Sequence, residues 1–492
     1  MRDYSFGNFI SALREQRGLS QYQLGALVGV SDKAVSKWEN GVSKPRMNVI
    51  RKLAEVLDVG IDELLTCEYI TFKNKRKDLF AMDRNIIKKA EERMKTLYGE
   101  NPPIYIANRF KTEELMLERS ENLQWMGFFG YLREQLYEKD AFFLVRDAQM
   151  GASFLAWLLG GTNVNPLPAH YYCPACRKIE FVSTTKCGLD LPDKKCSCGE
   201  FFEKDGFHID AIHMYPLRNE NEIYISGHTK ELVKDSLKKY FEGYGEMCEV
   251  KIIEDEAQDS LDVARYIIFT EEREKKPVQD NSITLHFEEY YDKYLGYPKL
   301  IVVENPEESL SFKDLTNIRI TPEKIVSYAK YAAKNGQFKS LTGEDDLNDI
   351  VAALSNSKFS DLLAVSGLLH GTGVWKGNGE ELFSKGIPLD NLITNREDVY
   401  AYLYDKVKEH CCDNPSGQIY EIKENVRKGK YFGSYMTTET EQLLLECDVP
   451  AWYVESMKKI RYLFPKGNLI AFLKKDLCEY IKMNKKELHK AQ

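Results

Sequence analysis

Four cysteines in two close pairs are the residues of this sequence best suited to hold a metal ion. Cys173 and Cys176 are separated by two residues, and Cys196 and Cys198 follow with one residue between them. Tetrahedral zinc takes four soft ligands, and two short cysteine turns that flank a loop supply them from one stretch of chain. The spacing predicts a closed structural zinc site, with Cys187 as a substitute ligand and reduced buried thiols as the alternative.

The composition is that of an ordinary globular protein. The 492 residues are 43% hydrophobic and 29% charged, and this length suggests about three domains. A net charge of −8 excludes a surface that is basic all over, so any contact with nucleic acid must come from local patches. Because the chain has neither a membrane-length apolar stretch nor a signal peptide, we expect a cytoplasmic protein with reduced cysteines and no membrane contact.

The first sixty-five residues predict five short helices. Ser20 and Ser31 each precede an amphipathic stretch as its N-cap, and Gly29 stands between the two stretches, where a tight turn favours glycine. Trp38 falls on the apolar face of the helix that follows Ser31 and is expected in the core. Two short helices joined by a glycine turn form a helix-turn-helix, whose second helix enters the major groove of DNA.

The stretch LSQYQLGALVGVSDKAVSKWENGVSKP, residues 19–45, resembles the Cro/C1 (XRE) helix-turn-helix family. The resemblance assigns residues 1–70 to a DNA-binding domain and implies a homodimer on two half-sites. It implies phosphate contacts for Gln21 and Asn40. Outward residues of the second helix would meet base edges or phosphates: Asp32, Lys33, Ser36 and Lys37. The alternative is a helical bundle that binds only protein.

Residues 71–84 begin with a basic run and are predicted to form a linker. The run is either a solvated hinge or an additional, sequence-independent contact with DNA phosphate. Beyond it the local patterns are mixed, with an amphipathic helix over 86–97, a short buried strand at 141–145 and a helix at 153–159.

Several longer stretches resemble the PolC-type DNA polymerase III α-subunit, and the resemblance covers about 85–480. In order, they are LYGENPP at 97–103, NVNPLPAHYYCPAC at 163–176, GLDLPDKKCSCG at 188–199, KDGFH at 204–208, VSGLLHGTGVWKGNGEEL at 365–382, VRKGK at 426–430 and DVPAWYVESMKKIRYLFPKG at 448–467. The resemblance implies a multidomain protein, in which the all-α helix-turn-helix domain precedes a larger α+β body. That body would comprise a palm-like domain at 85–310, with a Cys-rich zinc insert at about 165–210, and a helical fingers-like domain at 311–492. The family has C-x-x-C where this chain has Cys196-Ser197-Cys198.

The polymerase reaction requires carboxylates that hold two Mg²⁺ ions. The family places two aspartates in a Pro-Asp-Ile-Asp-Leu strand, and the corresponding residues here are Glu220 and Glu222, each longer by one methylene. A third aspartate follows Lys-Leu in another strand, and the sequence shows no clear counterpart. The family's Gly-Ser loop for the incoming triphosphate is here VRDAQMGAS, residues 145–153, in which Asp147 adds a negative charge. The resemblance therefore predicts a catalytically inactive centre.

The fingers-like part keeps many basic residues with tryptophan and tyrosine between them. The candidate nucleic-acid contacts are His370, Lys376, Arg427, Lys428, Lys430, Lys459, Arg461 and Lys466. A positive, aromatic surface suits a nucleotide or a single-stranded template. The alternative is that the aromatic residues are core and the lysines are merely solvated.

Three hypotheses about function remain. We favour a helix-turn-helix regulator of transcription fused to an inactive PolC-like body, which binds nucleic acid or imitates the replicase and meets its partner proteins. The second is an active DNA-directed DNA polymerase that uses Glu220 and Glu222 with Mg²⁺. The third is an adaptor that binds only proteins.

Overall fold

The computed structural model describes residues 10–11, 14, 19–40, 43–57, 76–117, 122–137, 139, 141–214, 220–226, 229–242, 249–255, 265–271, 299–305, 310–340, 343–354, 356–408, 415–433 and 435–490. The chain forms two compact units, residues 1–81 and 82–492. None of the helices in this described part combines the length and the apolar character that crossing a bilayer requires.

Capping residues fix the ends of the short helices in the first unit. The helices are α1 (Gln21–Val28), α2 (Asp32–Glu39) and α3 (Met47–Leu57). Ser20 and Gln23 bond to each other's backbone N–H groups in a capping box, and the Ser31 side chain caps α2. Gly29 has a φ of 79°, in the left-handed region that favours glycine. The predicted caps and turn are confirmed, whereas the last helix predicted in this domain lies outside the described residues.

Apolar side chains from these helices and from Ile10 share one small core. Its buried members are Ile10, Leu24, Val28, Val35, Trp38, Ile50, Leu53, Ala54 and Leu57. Trp38 is 6% exposed, which confirms the prediction that it is core and not a DNA contact. The polar residues of α2 are thereby left on the outer side of the helix.

Helix α4 (Arg76–Tyr98) runs through most of the stretch predicted as a linker, 71–84. Residues 76–84 are helical, and the helix continues through the predicted helix over 86–97 to end before Gly99. The stretch contains strong helix formers such as Leu, Ala, Met and Lys, with no Gly or Pro to interrupt them. Residues 71–75 lie outside the described part of the chain.

The second unit combines many helices with two sheets, as predicted for an α+β body. Its helices are α5 (Ile104–Leu117), α6 (Asn122–Tyr137), α7 (Ala148–Ala152), α8 (Phe154–Leu159), α9 (Lys230–Glu242), α10 (Phe312–Asn317), α11 (Pro322–Lys334), α12 (Asn348–Ala353), α13 (Phe359–His370), α14 (Glu380–Ser384), α15 (Arg396–Lys408), α16 (Pro415–Arg427), α17 (Thr438–Glu446), α18 (Ala451–Lys459) and α19 (Lys466–Lys490). Its strands are β1 (Phe143–Val145), β2 (His170–Tyr172), β3 (Ile179–Phe181), β4 (Glu203–Asp205), β5 (Glu220–Ser226), β6 (Glu249–Asp255), β7 (Arg265–Glu271) and β8 (Lys299–Asn305). All these strands precede residue 310, and the described elements after it are helices.

The larger sheet has five strands in the order β1-β5-β8-β7-β6. Strands β5 and β8 are parallel, and the other neighbouring strands are antiparallel. The predicted strand at 141–145 is therefore confirmed as β1, beside β5. The smaller sheet, in the order β3-β2-β4, is antiparallel and carries the cysteine turns at its ends.

A buried ion pair joins α5 to the start of α8. The Glu113 carboxylate is fully buried and accepts hydrogen bonds from Arg109 Nε at 2.5 Å and from Ser153 Oγ at 2.8 Å. The same carboxylate accepts from the backbone N–H groups of Phe154 and Leu155 at 2.8 and 2.9 Å. Arg109 in turn donates to two backbone carbonyls, so both charges are satisfied away from water.

Glu113→Ala should lower the free energy of unfolding by about 3–5 kcal/mol, because it leaves Arg109 buried without its counter-ion. Glu114→Ala on the same helix is the matched control, since Glu114 pairs with the exposed Lys111 and should contribute no more than about 1 kcal/mol. Urea denaturation followed by circular dichroism measures both. Equal losses from the two variants would contradict the assignment of Glu113 to a buried pair.

Candidate functional site

The strand β5 carries both glutamates that the resemblance places at the catalytic centre. Glu220 begins the strand and Glu222 lies two residues later. On one side β5 pairs with β1, and on the other it runs parallel to β8. The loop that follows β1 therefore lies beside Glu222.

The parallel neighbour of β5 pairs an apolar residue with Glu222. Strand β8 begins Lys299-Leu300-Ile301, and Ile301 is the register partner of Glu222. Isoleucine has no side-chain oxygen or nitrogen with which to bind a cation.

The Glu222 carboxylate forms an ion pair with an arginine of the chain, Arg146. Arg146, directly after β1, places Nη1 3.0 Å from Glu222 Oε1, and its backbone N–H donates to the Glu222 carbonyl at 2.7 Å. The guanidinium also lies over the ring of Phe472 in α19, with its carbon 5.7 Å from the ring centroid. The Glu222 carboxylate is thus paired with a positioned arginine.

Backbone amides of the loop at 145–153 form hydrogen bonds with a carboxylate of the same loop. Asp147 Oδ1 accepts from the N–H groups of Gln149 and Met150 at 2.7 and 2.9 Å and so caps α7. The Glu113 carboxylate holds the amides of Phe154 and Leu155 at the start of α8. Four donors that begin these two helices are therefore bonded to carboxylates of the chain, which occupy the directions a phosphate oxygen would need.

Helix α19 lies directly against this loop. A Cβ atom on Gly151 would be only 2.9 Å from the Cα atom of Gly467, and the reverse substitution would meet the same conflict. The two glycines permit this close approach of backbones. The approach leaves no room for a larger group between α7 and the start of α19.

The four predicted cysteine ligands converge. The sulfurs of Cys173, Cys176, Cys196 and Cys198 all lie within 4.8 Å of one another, with 3.5 Å between Cys173 and Cys198 and 3.4 Å between Cys176 and Cys196. Tetrahedral zinc with bonds of about 2.3 Å would separate its sulfur ligands by about 3.8 Å. The shorter Cys196-Ser197-Cys198 turn therefore does not prevent four sulfurs from surrounding one metal ion.

Local hydrogen bonds favour a thiolate in this cluster. The backbone N–H of Cys198, assisted by neighbouring thiols, lowers the pKa of Cys196 to about 6. Cys187 lies outside the cluster, and burial raises the pKa of its thiol well above the usual range. Cys187 is thus not the substitute ligand that the sequence allowed.

The predicted DNA contacts of the first unit lie mainly on the exposed side of the helix-turn-helix. Asp32, Lys33, Lys37 and Asn40 are exposed, and Ser36 is half-buried. Asn40 Nδ2 donates to the Ser36 carbonyl at 2.8 Å. This arrangement leaves two lysines, four residues apart, on one face of α2.

Gln21 is tied to the protein at the start of α1. Its Nε2 donates to Glu39 Oε2 at 2.7 Å, and Glu39 also pairs with Arg14. One of the two amide hydrogens that could reach a phosphate is thereby used within the domain.

Two of the eight contacts predicted within residues 311–492 are buried and paired within the chain, which corrects the prediction for them. Arg427 is 8% exposed and pairs with Glu424 at 2.7 Å, and Lys466 is 2% exposed and pairs with Asp398 at 2.8 Å. The other six are exposed: His370, Lys376, Lys428, Lys430, Lys459 and Arg461. Lys459 is held by Glu381 and by the Gly377 carbonyl.

Arg146 and Glu113 are central to the site, and neither is predicted from the sequence. A weak signal for Arg146 is present, because an arginine stands directly before Asp147 in a loop expected to be small and polar. Glu113 has no local signal, since only the packing of α5 brings its carboxylate to the start of α8.

Residues 10–64 match a family model described as Helix-turn-helix. Together with the capped helices and the glycine turn, this match defines the first unit as a helix-turn-helix domain.

The larger part of the chain is similar to proteins named DNA polymerase III PolC-type. The relative from Ureaplasma parvum is 27% identical over 80% of this chain and 31% of its own length, and that from Bacillus subtilis is 26% identical over 80% and 31%. The relative from Clostridium perfringens is 26% identical over 77% of this chain and 30% of its own length. The chain thus spans about a third of the length of these curated relatives.

Proposed function

We propose that this chain is a DNA-binding protein in which a helix-turn-helix domain carries a PolC-like body that does not catalyse nucleotidyl transfer. The observation that supports this most directly is that the candidate centre is filled by charges of the chain itself. Arg146 pairs with Glu222, and Asp147 accepts from the loop amides.

Metal binding would require this arrangement to be taken apart. Mg²⁺ demands nearly ideal octahedral geometry and is bound by carboxylates and phosphates. Here Glu222 is paired with a cation, and Ile301 stands beside it without an oxygen. Two-metal catalysis needs carboxylates that bridge both ions. Either the pairing of Glu222 with a cation or the lack of a carboxylate at Ile301 would therefore abolish it.

The function left to such a body is to hold a partner while the first domain selects the site on DNA. In this proposal the protein acts as a regulator, as a homodimer through the first domain. The body meets nucleic acid or replication proteins in the manner of a replicase without copying the template. An active polymerase is the second candidate, and the retention of two carboxylates at Glu220 and Glu222 on β5 favours it.

A labelled primer–template tests binding and catalysis in one sample. We expect the full chain to retard the duplex in a gel but to add no nucleotide with Mg²⁺ or Mn²⁺, while the PolC-type protein of Bacillus subtilis serves as the control for extension. Lys33→Ala with Lys37→Ala should weaken duplex binding and lower the slope of log K against log salt by about 1 for each phosphate that is no longer neutralised.

Incorporation by the chain that disappears in a Glu220→Ala/Glu222→Ala variant would establish the enzyme and reject the inactive body. Duplex binding that is unchanged by the two lysine substitutions would reject the assigned DNA face of α2. The two readouts are therefore independent.

We further propose that the four-cysteine cluster holds one structural zinc ion. Four thiolates prefer Zn²⁺ among the common cellular divalent cations, and a site with four protein ligands leaves no position for water. When bound, the ion would fix the turns at the ends of β2 and β4, so its contribution is to folding.

Metal analysis of the purified chain should find about one zinc per molecule. Cys173→Ser or Cys196→Ser should reduce this content to near zero and lower the midpoint of thermal unfolding, since the closed site loses a ligand. Cys187→Ser is the matched control, because this buried cysteine lies outside the cluster and should leave zinc content unchanged. Chain without zinc, or equal loss in the Cys187 variant, would contradict the proposal.

A further inference from the structure

The loop between Cys187 and Cys196, here called the cysteine loop, holds the start of a helix that is distant in sequence. In this loop Asp190 Oδ1 accepts a hydrogen bond from the backbone N–H of Phe359 at 2.7 Å. The Ser360 N–H donates to both oxygens of the same carboxylate at 3.4 and 3.3 Å. These amides begin α13, and Phe359 is 169 residues further along the chain than Asp190. The cysteine loop therefore caps α13.

The N-cap residue of α13 cannot accept these hydrogen bonds itself. That residue is Lys358, whose side chain ends in an ammonium group that only donates. Helices usually begin at Ser, Thr, Asp or Asn, because a side-chain oxygen then accepts from the first amides. Most of α13 lies in the core, and its buried residues are Phe359, Leu362, Leu363, Ala364, Val365, Gly367, Leu368 and Leu369. Asp190 thus fixes the end of a helix on which much packing depends.

A small core connects Asp190 to the cysteine cluster. Its buried members are Tyr171, Cys173, Leu191, Cys196 and Phe202. Leu191 directly follows Asp190, and its carbonyl accepts from Lys204 Nζ at 2.8 Å. Because this core contains two of the four metal-ligating sulfurs, moving those sulfurs would disturb Leu191 and with it the position of Asp190.

The four sulfurs of the cluster form two pairs, each made of one exposed and one buried cysteine. The exposed Cys198 lies 3.5 Å from the buried Cys173, and the exposed Cys176 lies 3.4 Å from the buried Cys196. An oxidant in solution can reach the exposed sulfur of each pair, and the buried sulfur is then next to the oxidised one. Cysteines that respond to peroxide have this arrangement, in which an accessible thiolate lies beside a resolving cysteine.

We propose that peroxide converts the four cysteines into two disulfides, releases the zinc ion and so detaches Asp190 from the start of α13. This inference rests on the proposed zinc site and adds regulation to it. Disulfide sulfur no longer binds zinc, because the thiolate is the ligand. The cluster then acts as a redox switch, which holds α13 when reduced and metal-bound and releases it when oxidised.

Each cysteine pair is oxidised by one molecule of hydrogen peroxide. The Cys198 thiolate attacks a peroxide oxygen, the O–O bond breaks, and a sulfenic acid forms while hydroxide leaves and takes up a proton. The Cys173 thiolate then attacks that sulfur, so that the S–S bond forms, the S–O bond breaks and a second hydroxide leaves and is protonated. Cys176 and Cys196 react in the same way. Two peroxide molecules and four protons thus yield two disulfides, four water molecules and free Zn²⁺.

Hydrogen peroxide titrated into the full, zinc-loaded chain tests the redox step. Metal analysis first gives the zinc content, and the dye 4-(2-pyridylazo)resorcinol then reports release. We expect release to be complete when about two peroxide molecules per chain are consumed. Peptide mapping by mass spectrometry should find Cys173 joined to Cys198 and Cys176 joined to Cys196. Dithiothreitol with added zinc should restore the original state.

Cys187→Ser is the matched control for this titration. Cys187 is buried and lies outside the cluster, so the variant should release the same amount of zinc and form the same two disulfides. Zinc that stays bound in excess peroxide would reject the redox step. Disulfides that join other pairs of cysteines, or that include Cys187, would also reject it.

Hydrogen–deuterium exchange in peptides that span 356–370 tests the connection to α13. Oxidation of the parent should speed exchange at the start of the helix about fivefold or more, because a cap is lost. Asp190→Ala should have a similar effect while zinc is still bound, and peroxide should then add no more than about twofold. Asp190→Asn keeps an oxygen that accepts hydrogen bonds and should retain the protection of the parent.

Asp390→Ala is the matched control for the exchange measurement. Asp390 is exposed in the turn Leu389–Asn391, which also lies against α13, so this variant should behave as the parent before and after oxidation. Thermal unfolding followed by circular dichroism should show that each zinc-loaded variant is folded. Zinc release without faster exchange in α13, or an Asp190→Ala variant that exchanges like the parent, would reject the connection.

The failure of this inference can be told apart from the failure of the proposed zinc site. A chain purified without zinc contradicts the zinc site before any peroxide is added. A chain that contains zinc but keeps it in peroxide contradicts only the switch. The primer-extension and duplex-binding tests do not depend on either result.

Discussion

The pairing of Arg146 with Glu222 is the interaction on which the account of the body depends. A carboxylate at this place on β5 can either bind a divalent cation or accept a guanidinium, and the chain has provided the guanidinium at 3.0 Å. Both side chains are partly exposed, so the pair adds little to stability. In the proposed function its importance lies in charge, because a carboxylate that is paired with a guanidinium attracts a metal ion less strongly.

The neighbouring Asp147 is bonded to backbone amides, the groups that would bind an anion. Its carboxylate accepts hydrogen bonds from two amides at the start of α7, and the Glu113 carboxylate accepts from two amides at the start of α8. Two adjacent residues of one loop, Arg146 and Asp147, thus pair with a carboxylate and with backbone amides of the chain. Gly151 and Gly467 permit the backbone of α19 to approach this loop closely.

Local features were predictable from the sequence, whereas features set by distant contacts were not. The Ser20 cap, the Gly29 turn and the convergence of the four cysteines depend on residues close together in the chain. The partner of Glu222 is 76 residues away in sequence, and Ile301 becomes its neighbour only through the parallel pairing of β5 with β8. Arg427 and Lys466 were expected at a binding surface, but both are buried in the fold and paired with the partly buried Glu424 and Asp398. Charge type can be read from sequence, but the availability of a charge depends on tertiary packing.

We propose that the candidate centre does not bind divalent cations, because Glu222 is already paired with Arg146. Electron paramagnetic resonance of Mn²⁺ titrated into the full, zinc-loaded chain measures this directly. We predict that the chain binds no Mn²⁺ at concentrations up to about 1 mM beyond the amount that the buffer, or an added deoxynucleoside triphosphate, binds by itself, because Arg146 and Ile301 leave too few ligands. Tight binding of Mn²⁺ that disappears in Glu222→Ala and is unchanged in Glu114→Ala would contradict the account.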